Sequence, residues 1–176
     1  MTKVVGSLRR LPSRRTHNHA VNQNSRAGRR RLAPVDVAAW LLKTAVHPTD
    51  IRPGWLPGQE RTLERCVARS YRLSLMRPGQ ACVLWLSGRV SPGVHAIGHL
   101  VAEPSLAGPS DVQPAVVVSL RLLEEPVARS ELLAHPAFAG AEVLRMPAGS
   151  NPSYLDGPQL AAVLQLAEVT SPSVGD

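Results

Sequence analysis

The chain has 176 residues and a formal net charge of +7, and its first 34 residues carry +9. They hold nine basic side chains and no acidic one, which leaves 11 basic and 13 acidic side chains, a net charge of −2, for residues 35–176. A fold that is basic over its whole surface is therefore excluded, and one domain of about 140 residues is expected after the basic segment.

Residues 1–34 are predicted to be a disordered basic tail, because they contain too few apolar side chains to form a core. The same segment loosely resembles an organellar transit peptide, and it is also compatible with an upstream start-site extension or with an arm that contacts phosphates. The candidate phosphate contacts in it are Arg26, Arg29, Arg30 and Arg31. The folded domain is expected at 35–168, followed by a flexible C-terminal tail at 169–176.

The two cysteines, Cys66 and Cys82, are too few for a disulfide framework and fit a reducing compartment. No segment approaches the roughly 18–20 uninterrupted apolar residues that a membrane span requires. The basic N-terminus is not followed by the apolar run of a secretory signal. We therefore predict a cytoplasmic protein without membrane contact.

Short apolar runs separated by Pro and Gly predict six strands. In chain order they are expected at 37–43, 66–68, 81–87, 94–101, 115–123 and 142–146. The run from Ala81 to Ser87 is apolar almost throughout, which is typical of a strand covered on both faces. Pro92-Gly93 predicts that the next strand returns as a hairpin. Between the first two strands, Trp55 lies in a loop rich in Pro and Gly.

Three short helices are predicted, at 70–76, at 130–133 and after Asp156. In the last of these, Asp156 is expected near the N-cap and Pro158 in the first turn. Four apolar residues of this helix are expected to share one face: Leu160, Val163, Leu164 and Ala167. Short strands with few helices indicate an α+β fold built on a small, partly open barrel rather than a doubly wound sheet.

Motifs for catalysis are absent: the sequence has no Gly-rich phosphate loop, no Gly-x-Ser-x-Gly and no Cys-x-x-Cys. His95 and His99 have the spacing of a helical zinc pair, but in a strand this spacing only places both on one face, and no third ligand is evident. Glu124 and Glu125 follow the predicted strand at 115–123, and neighbours on a strand point to opposite faces, so they indicate a solvated strand end rather than an acid/base pair. We predict no metal and no cofactor, and a non-catalytic protein is favoured over an enzyme.

Half of the six aromatic residues are tryptophans: Trp40, Trp55 and Trp85. Stacking of a base on an aromatic side chain contributes about 1–3 kcal/mol. Trp40 and Trp85 could equally fill the core, whereas Trp55 lies in a loop, where it must either pack back on the body or meet a ligand. With Lys43 and Ser87 as nearby donors, a Trp pair would suit a flat heterocycle.

Four segments occur in an order that is typical of a known family. They are Trp40-Leu-Leu-Lys43, Ser70 to Gln80, Ala81-Cys-Val-Leu-Trp-Leu-Ser-Gly88 and Gly93-Val-His-Ala-Ile-Gly98. Together they resemble the EVE domain family of the PUA-like superfamily, over about Val35 to Leu166. The family has a Trp and often a Lys in its first strand, a Met-x-x-Gly-Asp turn, and an aromatic-x-Ser pattern at the end of the next strand.

The resemblance implies a small pseudo-barrel with a cleft for a nucleobase, and a role in reading modified DNA bases or in binding RNA. Four residues match recurring motif positions and become pocket candidates: Trp40, Lys43, Trp85 and Ser87. Trp55 and Tyr71 are added from their position and chemistry alone. The chain departs from the family pattern at three places: His47-Pro48 in place of Asn-Pro, Gln80 in place of Asp, and Trp85 where Tyr is commoner. The bulkier indole of Trp85 bears on which base would fit.

The leading hypothesis is a non-catalytic module that binds DNA or RNA, with a modified base in a Trp-lined cleft and the basic segment on the phosphates. One alternative is a hydrolase of a small amide or nucleoside on a PUA-like scaffold, with His47, His95 or His99 as its base. Another is a protein-interaction module that uses the Pro-rich loops, including 103–114. The sequence leaves open the identity of the ligand, the choice between DNA and RNA, and the oligomeric state.

Overall fold

The computed structural model describes residues 31–105 and 113–170, and the structural statements below concern those residues. Six strands form one mixed sheet in the order β2-β5-β4-β3-β1-β6. The strands are β1 (Ala39–Thr44), β2 (Glu60–Cys66), β3 (Ala81–Leu86), β4 (Gly93–Leu100), β5 (Ala115–Ala128) and β6 (Ser153–Leu155). β1 and β3 are parallel, and the other neighbours are antiparallel.

The helices are short except for the last one. They are α1 (Pro48–Ile51), α2 (Arg129–Ala134), α3 (Glu142–Arg145) and α4 (Gly157–Thr170), with 3-10 helices at Pro34–Asp36 and Tyr71–Leu75. The predicted cap of the last helix is confirmed, since Asp156 Oδ1 accepts from the Gln159 N–H at 3.0 Å and Gln159 Oε1 accepts from the Asp156 N–H at 3.2 Å. No helix in the described part of the chain is long and apolar enough to cross a membrane.

Strand alternation divides the apolar residues between the two faces of the sheet. The inner cluster contains Trp40, Leu42, Trp55, Leu63, Val67, Leu73, Met76, Cys82, Leu84, Ala96, Leu100, Val116, Val118, Leu120 and Leu122. The outer cluster lies between the sheet and the helices α2, α3 and α4, and contains Ala39, Leu41, Val83, Trp85, Val94, Leu123, Val127, Leu132, Phe138, Ala141, Val143, Leu155, Ala162, Val163 and Ala167.

The sheet curls so that its two edges approach each other without closing into a barrel. β2 and β6 are the two edge strands, yet the Ala68 N–H just after β2 donates to the Asn151 carbonyl just before β6, at 2.6 Å. The curled sheet surrounds the inner cluster on one side, and the helices cover the outer cluster on the other. The α+β fold with a partly open barrel that the sequence predicts is confirmed.

Two sequence predictions of local structure are corrected. The second strand lies at Glu60–Cys66 rather than at 66–68, and residues 142–146 form α3 rather than a strand. Glu, Leu and Arg favour a helix at this point, and Val143 anchors the turn in the outer cluster. The sixth strand is instead β6, which pairs with the free edge of β1.

The predicted apolar face of the last helix is rotated in the structure. Val163 and Ala167 are buried together with Ala162, but the Leu164 side chain is 41% exposed. Gln159 is buried because its amide completes the N-terminal cap of α4. The buried face of α4 is therefore determined by this cap as well as by the spacing of the apolar residues.

Candidate functional site

All three tryptophans are buried, with exposed fractions of 0% for Trp40, 1% for Trp55 and 3% for Trp85. Trp85 belongs to the outer cluster, where it stacks on Phe138 at a ring-centroid distance of 6.4 Å. Trp40 and Trp55 belong to the inner cluster, on the other face of the sheet. The expectation of one Trp-lined cleft is therefore corrected, because the pleat of β1 and β3 sends Trp40 and Trp85 in opposite directions.

The indole N–H groups of the two inner tryptophans are satisfied within the protein. Trp40 donates to Gln80 Oε1 at 2.7 Å, and Trp55 donates to the Gln59 carbonyl at 2.8 Å. Gln80 Oε1 also accepts from the Arg77 N–H at 2.8 Å. The Gln that departs from the family pattern thus ties β1 to the turn before β3, which is a structural role.

Lys43 lies on the outer face of β1, in register with Trp85 of β3. Its ammonium donates to the carbonyls of Pro147 and Gly149 at 3.1 and 2.6 Å. Burial lowers the pKa of Lys43, and the charge of Arg72 acts in the same direction against the raising effect of Glu142. Lys43, which the sequence suggested as a donor to a ligand, is therefore bound to the loop before β6. Ser87 follows β3 and is partly buried, and its N–H donates to the Thr44 carbonyl at 2.7 Å.

A partly buried ionic cluster lies beside Lys43 and was not found from the sequence. The Arg72 guanidinium makes two hydrogen bonds to the Glu142 carboxylate, at 2.6 and 2.8 Å. Ser153 donates to the same carboxylate at 2.6 Å, and Arg72 also donates to the Pro152 carbonyl. Burial acts to raise the pKa of Glu142, but the hydrogen bonds and charges of its neighbours outweigh burial and lower it.

His95 and His99 occupy different environments despite their spacing. A register shift between Val94 and Ala96 falls at His95, which breaks the alternation that a shared face requires. His95 is 2% exposed and its ring lies edge-on to His47 at 5.4 Å, whereas His99 is exposed. No group of three or more His, Cys, Asp or Glu residues in the described ranges could hold a metal ion.

Burial favours the neutral form of the His95 ring. Burial lowers the pKa of His95, and the neighbouring His47 adds to this effect against the hydrogen bond to the Ser91 carbonyl. Because a carbonyl only accepts, the His95 Nε2 that lies 2.8 Å from it carries the proton. The ring is thus a buried donor to the loop between β3 and β4.

Tyr71 is the one predicted pocket residue whose aromatic ring is exposed. Its exposed fraction is 36%, and all five other aromatic residues of the chain are buried or partly buried in the described part. The Arg31 guanidinium lies 4.4 Å from the centre of the Tyr71 ring, and the Leu32 N–H donates to the Tyr71 hydroxyl at 3.0 Å. The structure therefore brings together one predicted phosphate contact, Arg31, and one predicted pocket residue, Tyr71. Arg26, Arg29 and Arg30 lie outside the described residues.

The chain around Tyr71 is basic. This stretch can be read from the sequence, but it was missed because the charge was summed over residues 35–176 as a whole. Between Glu64 and Glu103 there is no acidic residue, and there are five arginines: Arg65, Arg69, Arg72, Arg77 and Arg89. Arg72 pairs with Glu142, and Arg69 and Arg77 lie exposed on either side of the Tyr71–Leu75 helix. The surface at Tyr71 is thus a local basic region on a body that is close to neutral.

Comparison with known proteins shows the fold. No protein-family model matches the chain, and no curated protein matches it significantly. Among solved structures, a hypothetical protein from Leishmania major matches with 16% identity and a TM-score of 0.56, over 78% of this chain and 98% of that one. The DUF55 domain of human thymocyte nuclear protein 1 matches with 17% identity and a TM-score of 0.52, over 74% and 99%.

A further match is the human THYN1 protein in complex with DNA that contains 5-methylcytosine. It shares 19% identity with a TM-score of 0.51, over 74% of this chain and 97% of that one. The chain therefore has the α+β, PUA-like fold of these proteins, as its resemblance to the EVE domain family implies.

Proposed function

We propose that the chain is a non-catalytic module that binds nucleic acid. The observation that carries the proposal is the fold, which it shares with a protein whose structure was solved in complex with DNA. The concentration of basic residues supports it, because nine of the 20 Lys and Arg side chains lie in the first 34 residues without an acidic neighbour. Such segments bind phosphates by releasing counterions.

The phosphate contacts are assigned to the arginines at 26–31 and to the surface around Tyr71. Arg31 follows Arg29 and Arg30 directly in the sequence and contacts the body at Tyr71. Arg69 and Arg77 add exposed positive charge on either side of the Tyr71–Leu75 helix. The body therefore offers phosphate contacts of its own around Tyr71.

The salt dependence of binding tests this assignment. In the full chain, Arg26, Arg29, Arg30 and Arg31 are replaced by Gln, and the matched control replaces four exposed arginines elsewhere, Arg52, Arg121, Arg129 and Arg145. Both variants lose the same net charge. In the first variant only, the slope of log K against log salt should flatten by about 0.9 for each phosphate that is no longer neutralised on duplex DNA, or about 0.7 on a single strand.

Two results would count against the proposal. If the wild-type chain shows no salt-dependent binding, the proposal that it binds nucleic acid is refuted. Equal reductions of the slope in the two variants would show that net charge alone attracts the nucleic acid, and would remove the assignment of the phosphate-binding arginines.

Recognition of a modified base is the finer part of the proposal, and it is supported by the 5-methylcytosine in the DNA of the similar structure. Oligonucleotides that differ only in one methyl group test it. Burying that methyl group is worth ~0.8 kcal/mol, so the methylated strand should bind about fourfold more tightly. Equal affinities would leave a nucleic-acid-binding module without selectivity for methylation, and parallel RNA strands would show which nucleic acid is preferred.

A further inference from the structure

A protein that stacks a base needs an aromatic ring that the base can reach. The three tryptophans and Phe138 are at most 3% exposed, so their rings are covered by the protein. Tyr154 is partly buried and lies under the Arg72 guanidinium at 5.6 Å. Among the Trp, Phe and Tyr side chains, Tyr71 alone combines an exposed ring with a basic surrounding.

We propose that Tyr71 is a stacking platform for an unpaired base of a single-stranded nucleic acid, and that Arg31 covers this platform in the free protein. This inference rests on the proposed function and specifies its ligand. Paired bases inside a duplex are covered on both sides by their neighbours, so a base must be unpaired or displaced from the stack to reach an isolated ring.

The contact with Arg31 shows that the face of the Tyr71 ring accepts a flat, delocalised group. A guanidinium and a nucleobase are both planar, and the guanidinium lies 4.4 Å from the ring centre. A cation–π contact at an exposed site is weaker than stacking of a base. A base can therefore displace Arg31, whose charge then becomes available to the phosphate next to that base.

The ring stands on a firmly anchored support. Leu73 and Met76, which follow Tyr71 in and after the same 3-10 helix, are 3% and 0% exposed in the inner cluster. The neighbouring Arg72 is fixed to Glu142, and the Ser74 hydroxyl donates to the Tyr71 carbonyl at 2.7 Å. The position of the platform is thus set before a ligand arrives.

The test compares two single strands of equal length and charge, one of thymidines and one of abasic sites, with a duplex as a third ligand. The full-length wild-type chain should bind the thymidine strand most tightly. Tyr71→Ala should lower that affinity roughly 5- to 150-fold, the range that the stacking of one base spans, and should leave the abasic affinity unchanged. Tyr71→Phe keeps the ring without the hydroxyl that Leu32 contacts, and should retain the preference.

Equal wild-type affinity for the thymidine and abasic strands would overturn the inference, as would tighter binding of the duplex or an unaltered preference in Tyr71→Ala. If Tyr71→Ala loses affinity for the abasic strand as well, Tyr71→Leu replaces it and is judged by the same comparison. Salt-dependent binding of both strands without a preference would refute the platform and leave the proposed function intact. Failure of the wild-type chain to bind any of the three would refute both.

Discussion

Glu142 joins parts of the chain that are far apart in sequence. Its carboxylate accepts hydrogen bonds from Arg72, 70 residues earlier, and from Ser153, 11 residues later. The side chains of Arg72 and Glu142 are 13% and 15% exposed, so water screens their attraction less than it would on the open surface. The support of Tyr71 is thereby tied to α3 and β6.

The pKa of Glu142 makes this link dependent on pH. Its pKa is lower in the folded protein than the usual value, which is about 4.3 in an unfolded chain. The ionised carboxylate therefore contributes stability above about pH 4, and this contribution is lost as the pH falls through the lowered folded value. We expect Glu142→Gln to cost about 1.5–3 kcal/mol of the free energy of unfolding at pH 7.

Urea unfolding at a series of pH values measures that difference. The gap between the wild-type chain and Glu142→Gln should shrink as the solution becomes acidic, because the wild-type carboxylate is then protonated as well. Glu103→Gln, at an exposed position, is the control and should stay within about 0.5 kcal/mol of wild type. A gap that does not change with pH would contradict this account of the cluster.

The contacts of a residue were predictable from the sequence where its partner is a near neighbour in the chain. They were not predictable where the partner belongs to a distant element. Asp156 and its cap are three residues from Gln159, so both partners are visible in the sequence. The partner of Arg72 lies 70 residues away and leaves no local signal. The division of Trp40 and Trp85 between two faces follows from the parallel register of β1 and β3, which a single sequence does not specify.

At the scale of elements, β4 passes very close to β5 at Gly98. A methyl group on Gly98 would overlap the Ser119 carbonyl oxygen, which belongs to the backbone of β5 and cannot rotate away. We expect Gly98→Ala to destabilise the protein by about 1–3 kcal/mol or more, since the two strands would have to separate.

Gly157→Ala is the matched control for that substitution. Gly157 opens α4, and a methyl group there meets no atom within 4 Å. Alanine should therefore be neutral there or stabilise the fold by about 0.4–1 kcal/mol, because it restricts the unfolded chain. Thermal or urea unfolding of both variants measures the contrast. Similar stabilities for the two variants would contradict the close approach of β4 and β5.

Elements with strong local patterns were predictable, and elements that depend on a neighbour were not. The apolar run of β3 and the Pro-Gly turn before β4 consist of consecutive residues. β6 has only three residues and is a strand because β1 offers it an edge, so the sequence contains no independent signal for it. The helix at 142–145 is not predictable from its spacing, because four residues are too few for a helical period to show.

At the level of the whole molecule, the order of the segments predicts the fold, whereas the charge indicates where nucleic acid would bind. The order of the segments was sufficient to predict the PUA-like fold, because it reflects the order of the strands rather than any one residue. The net charge of the chain pointed only to the first 34 residues. The basic region around Tyr71 emerged when the structure placed Arg31 on the ring, close in space to a segment free of acidic residues.

The most direct test of the central claim is to locate a bound nucleic acid on the protein. A single-stranded oligonucleotide with photoreactive thymidine analogues is cross-linked to the full-length chain, and the attached peptides are identified by mass spectrometry. We expect cross-links within residues 26–31 and 69–77, and we expect them to disappear when unlabelled strand is added in excess. Cross-links concentrated on the Trp55 loop or on α4 would contradict it.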